Sequence, residues 1–131
     1  MNIVYVLPMT PTRITLAVAR MLIGLGAWLA PDLTVRVFGL DPERSNRFVG
    51  RLFGAREFAL AAALLAAPGK AVATVAAVGA VVDAVDAVAG FDETRRGNLG
   101  GRAIALGPVG AMGFAALGAL VYRESSRPIA S

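Results

Sequence analysis

Residues 103–122, AIALGPVGAMGFAALGALVY, run for twenty positions without a charge, and Arg102 and Arg123 bracket them. As a continuous helix the stretch would be about 30 Å long, the thickness of a bilayer's hydrocarbon layer. Working outward, three more apolar segments of similar length read as its partners. The first runs from about Thr12 to Ala30 and is stopped by Pro31. The second becomes apolar at Phe48 and ends by Ala67, and the third spans Ala71 to Gly90. The predicted fold is all-α: a single domain, a four-helix transmembrane bundle with short loops. Its spans are expected near residues 12–30, 48–67, 71–90 and 103–122, the last bent at Gly107-Pro108.

Composition agrees with that reading. The chain has 131 residues, 56% of them hydrophobic, and its mean hydropathy is +0.65. A soluble domain of this length must spend more residues on polar surface, whereas a polytopic one can stay apolar outside. No Cys, His or Gln occurs. Disulfides, thiolate metal sites and thiol nucleophiles are thereby excluded, and so is the commonest general base. Twelve of the thirteen basic residues are Arg, which with abundant Ala, Gly and Val indicates a GC-rich genome. The net charge of +4 and pI of about 10.7 would elsewhere suggest nucleic acid as a partner. Here the basic residues sit at helix ends and in loops, with no basic stripe and no aromatic platform, so no nucleic-acid partner is expected.

The connectors carry their own signals. MNIVYVLPMTPT at residues 1–12 has no early basic cluster and does not read as a cleaved signal peptide. Asp32–Leu40 has the mixed pattern of a segment lying along the membrane surface. Asp41-Pro42-Glu43 reads as a helix cap, and Pro68-Gly69-Lys70 as a tight hairpin turn. Residues 91–102 form a polar, Gly-rich loop, and a polar tail closes the chain. Arg36, Arg44, Arg47, Arg95, Arg96 and Arg102 fall in loops on one side of the bundle, against Arg13, Lys70, Arg123 and Arg127 on the other. The excess predicts loops 1 and 3 in the cytoplasm and both termini outside a cell inner (plasma) membrane.

Six charges interrupt the spans: Arg20, Arg51, Arg56, Glu57, Asp83 and Asp86. Each costs at least about 2.5–3.5 kcal/mol at mid-bilayer if it stays unpaired. Three positive and three negative groups imply mutual neutralisation. A hairpin centred on Gly69 sets Arg56 opposite Asp83 and Arg51 opposite Asp86, and helix depth pairs Arg20 with Glu57. Gly79, Asp83, Asp86 and Gly90 share one helical stripe; Gly50, Gly54, Glu57 and Ala61 share another, and Gly50, Gly54, Gly79 and Gly90 read as helix-packing positions that permit close helix approach. The glycines of helix 1 (Gly24, Gly26) and helix 4 (Gly107, Gly110, Gly113, Gly118) suit either packing within the bundle or docking on a neighbour. The charge cluster reads as packing clamps or, alternatively, as a polar pocket for a headgroup, ion or proton, or as contacts to a partner subunit.

Asp83-xx-Asp86 is similar to half of the paired-aspartate motif of CDP-alcohol phosphotransferases. Ala87 follows Asp86, and the next acid is Asp92. Two carboxylates do not make that two-metal site, so no metal, cofactor or enzymatic activity is expected.

The segment Arg51-Leu-Phe-Gly-Ala-Arg-Glu57, followed by an Ala/Leu-rich span and an Asp-bearing helix, carries a resemblance. Phe38-Gly39-Leu40 after a Pro-terminated first helix adds to it. Together they resemble an uncharacterised family of small actinobacterial four-helix membrane proteins, DoxX-like in plan, over roughly Arg13 to Tyr122. The resemblance implies four spans, no established activity and no transferable catalytic residue. It also implies, as a candidate setting, an accessory membrane subunit of a mycobacterial lipid importer of the MCE class. The function expected is therefore a non-enzymatic accessory or scaffold subunit of a larger membrane complex. The alternative is a small transporter or lipid-binding protein that uses the charge cluster; membrane lipids are partners under either.

Overall fold

A computed structural model describes residues 9–127. The N-terminal stretch read above as lacking a signal sequence, and the end of the polar tail, lie largely outside the described residues. The described chain is helical throughout, without a strand. Helix α1 is Pro11–Leu29, α2 is Pro31–Val37, α3 is Arg47–Ala66, α4 is Ala71–Arg95, α5 is Gly101–Leu106 and α6 is Pro108–Ser126.

Local chemistry sets these boundaries. The Thr10 side chain accepts from Arg13 N at 3.2 Å, and Pro11 opens α1 where its missing N–H costs nothing. Pro31 ends α1 and begins α2. Asp41 does not cap the second long helix as the sequence suggests. It caps a 3₁₀ turn, Pro42–Arg44, accepting from Glu43 N at 2.9 Å. Ser45 is extended, so that turn does not propagate, and Asn46 caps α3 through Phe48 N and Val49 N.

Helix α4 outruns its expected end at Gly90 by five residues. Its stop is Gly97, whose φ of +78° favours glycine. Gly97 N donates to Thr94 O and Asn98 N to Glu93 O, which satisfies the last carbonyls. Gly90 therefore lies inside α4, where a Cβ would lie 2.7 Å from the Pro108 ring. The expected bend at Gly107-Pro108 is a full break between α5 and α6.

Three helical stretches are long and apolar enough to cross a membrane: Pro11–Leu29, Ala71–Arg95 and, taken through the break, Gly101–Ser126. Such a set fits a membrane protein. Helix α3 matches them in length but carries Arg47, Arg51, Arg56 and Glu57. Large apolar side chains such as Leu22, Leu29, Val81, Val85 and Val88 lie exposed on the outside.

The four long helices form a ring in the order α1, α3, α4, α6. Two of its sides are close and two are sparse. Helix α1 packs along α3, and α4 packs along α6; the turn-linked neighbours α3 and α4 touch far less. This corrects the expectation that the Pro68-Gly69 hairpin makes α3 and α4 face each other directly. The short turn holds their ends together, but the close approaches belong to other pairs. An apolar core of Leu16, Ala17, Leu64, Val72, Ala76 and Val121 fills the bundle towards the turn that joins α3 to α4.

Candidate functional site: a five-member charge network on the bundle axis

Arg20 stands midway along α1, with 2% of its side chain exposed, and reaches all three other long helices. Its Nη1 donates to Glu57 Oε2 on α3 at 2.8 Å and to Asp83 Oδ1 on α4 at 3.1 Å. Its Nη2 donates to Asp83 Oδ2 at 2.5 Å, and its guanidinium carbon lies 5.2 Å from the Phe114 ring centroid on α6. Gly79 makes the arrangement possible: a Cβ there would sit 3.0 Å from Nη2. The planar fork of Arg suits this bidentate grip on a carboxylate.

Glu57 passes the network on. Its second oxygen, Oε1, accepts from Arg56 Nη2 at 3.5 Å. Arg56 in turn grips Asp86, with Nη1 to Oδ1 at 3.3 Å and Nη2 to Oδ2 at 2.5 Å. Its guanidinium lies 5.0 Å from the Phe53 centroid, and its Nε is buried without an acceptor. Asp86, Arg56, Glu57, Arg20 and Asp83 thus alternate in sign along one chain. Burial runs from Arg20, Glu57 and Asp83, almost wholly enclosed, to Arg56 and Asp86, 38% and 34% exposed.

Two sequence-derived pairings are corrected. Arg56 grips Asp86 rather than Asp83, because Arg20 already holds Asp83 from across the bundle. Arg51 does not reach Asp86; it lies exposed with its guanidinium 5.4 Å from the Trp28 ring. Of the glycines read as packing positions, Gly54, Gly79 and Gly90 meet neighbours. Gly50 does not: a Cβ there has nothing within 4 Å. The true counterpart of Gly54 is Gly24 on α1, whose Cβ would lie 2.8 Å from Gly54 O.

Arg13, counted above among the charges on the outer side of the bundle, is buried within α1. Nε donates to Leu64 O at 2.8 Å, and Nη2 to Leu65 O and Ala67 O at 3.3 and 3.2 Å. It supplies donors to the final carbonyls of α3, where a helix leaves acceptors unfilled and its dipole favours a cation. The sequence signal available was an Arg three residues past a Thr–Pro helix start, which does not specify a partner fifty residues away.

Glu57 also turns the two aspartates of α4 into three converging carboxylates. One oxygen from each of Glu57, Asp83 and Asp86 lies within 4.8 Å of the others, and these are the residues able to hold a metal. Each already accepts from a guanidinium, so a cation would have to compete with Arg20 and Arg56. Beside Arg20, a cavity of about 10 Å³ lined by Leu16, Leu60, Leu64 and Val75 has room for one water at most.

No protein family, curated protein or solved structure in the comparisons matches the chain. The likeness to small DoxX-like membrane proteins therefore rests on the sequence motifs quoted above.

Proposed function

We propose that the chain is a four-span protein of the cell's inner membrane, with α1, α3, α4 and the α5–α6 unit as its spans. Loops 1 and 3 face the cytoplasm. Its role is that of a non-enzymatic accessory or scaffold subunit in a larger membrane complex. The observation that carries this reading is the saturation of Arg20, Glu57 and Asp83 by one another at the centre of a packed bundle. Side chains so engaged hold helices in register, and the cavity beside them does not admit a substrate. The outward faces are apolar, and the connections from α3 to α4 and from α4 to α5 are short.

The resemblance to small DoxX-like membrane proteins makes a lipid-transport machine the candidate for that complex. Gentle isolation of the tagged chain from native membranes is expected to bring down a larger integral membrane protein in stoichiometric amount. Recovery as a solitary monomer from the same extract would overturn the assignment.

A further inference from the structure

The network is not electrically closed. Two guanidinium groups, Arg20 and Arg56, meet three carboxylates, Glu57, Asp83 and Asp86. Arg51, the third arginine near enough in sequence to balance them, is held against Trp28 instead. The half-exposed end of the network lies between α3 and α4, one of the two sparse sides of the ring. Arg56 is nine residues in from the start of α3, and Asp86 is nine residues back from the end of α4. Both therefore stand about 14 Å from the helix ends on that side. At that depth a lipid neighbour would leave partly exposed ions facing hydrocarbon, an arrangement membrane proteins avoid.

We propose that the α3–α4 groove receives a transmembrane helix of a partner subunit bearing one Lys or Arg at mid-membrane depth. Its cation sits against Asp86, the carboxylate exposed on that side, and supplies the missing positive charge. The proposal rests on the membrane-subunit reading above and names the partner's chemistry. A second copy of this chain is the poorer occupant. Pairing two identical networks would double the surplus negative charge, whereas one basic side chain cancels it.

The test uses the full chain in phosphatidylcholine vesicles and a labelled model helix of about twenty Leu and Ala residues, the length that spans a bilayer. The helix carries a single central Lys, a central Glu or no charge, and energy transfer from the labelled chain reports association. The Lys helix is expected to associate about tenfold more tightly than the uncharged helix, a preference in the range of interhelical polar contacts in membranes. The Glu helix should associate no more tightly than the uncharged one. Asp86→Asn should abolish the Lys preference, and Asp86→Glu should retain it; matching helical circular dichroism verifies that both variants fold. Equal association of the Lys and uncharged helices, or a Lys preference that survives Asp86→Asn, would overturn the proposal, as would self-association of the chain driven by the same residue. Flotation after a carbonate wash reports insertion separately. A chain lost from the vesicles ends the membrane reading itself, and a retained chain without charge preference ends only the partner.

Discussion

The close sides of the bundle and its sparse sides are built from different materials. Along α1 and α3 the contact is backbone against backbone: a Cβ on Gly54 would meet Gly24 O at 2.7 Å, and one on Gly24 would meet Phe58 N at 2.7 Å. Along α4 and α6, Pro108 fills the space left by Gly90, and Gly118 rests on Ala76 and Ala80. Between the two pairs, long charged side chains bridge the centre, with an apolar core beside them. In lipid, apolar burial gives helices little reason to prefer each other over lipid tails, so association falls to close packing and polar contacts. This chain divides the two tasks. Glycine holds each pair together, and charge sets one pair against the other.

The largest break should come from the ionic seam. Arg20→Met leaves Glu57 and Asp83 buried without their cation and is expected to cost about 3–5 kcal/mol in reversible unfolding from mixed micelles. Adding Glu57→Gln and Asp83→Asn should return most of that loss, because the penalty is the orphaned charge rather than a missing contact. A loss below about 1 kcal/mol for the single variant would show that the seam is not structural.

Gly54→Leu attacks the other material. The atoms in its way are backbone and the Ala27 methyl, none of which can rotate aside, so a cost of about 2–3 kcal/mol is expected. Cysteines placed on α1 and α3 should cross-link less readily in this variant, while α4–α6 cross-links stay unchanged.

A smaller effect is expected at Arg13→Met, about 2 kcal/mol, from carbonyls of Leu64, Leu65 and Ala67 left without a donor. Faster hydrogen exchange confined to the last turn of α3 would check the mechanism. The smallest change sharpens the contrast between two glycines four residues apart. Gly50→Ala meets open space and should stabilise the helix by up to about 1 kcal/mol, opposite in sign to any enlargement at Gly54.

The legible and illegible parts of the site separate along the same line. Depth in the helix is a property of one segment, and it was enough to suggest Arg20 with Glu57, which the structure places 2.8 Å apart. The remaining pairings required knowing which helices are neighbours. The Pro68-Gly69 turn made α3 and α4 look like the close pair, and the register drawn from it assigned Asp83 to Arg56 and Asp86 to Arg51. Arg20 crosses the bundle to take Asp83, so Arg56 reaches one turn further along α4 to Asp86 and Arg51 is left on Trp28. Gly50 and Gly54 look alike as a spaced pair on one face, but only Gly54 lies against α1, where a Cβ has no room. Gly90 reads as a packing glycine near the end of its helix, but the sequence does not say that Pro108 is what packs against it.

What the chain's order of residues determined by itself was the helical character, the approximate bounds of the long segments and the presence of ions within them. Those follow from local hydropathy, caps and prolines, each of which acts within a few residues. Tertiary structure alone decided which helices lie side by side, which glycines are crowded and which acid each arginine holds. The reason is reach: a guanidinium on a long stem can satisfy several carboxylates at similar depth, and only the arrangement of four backbones selects among them.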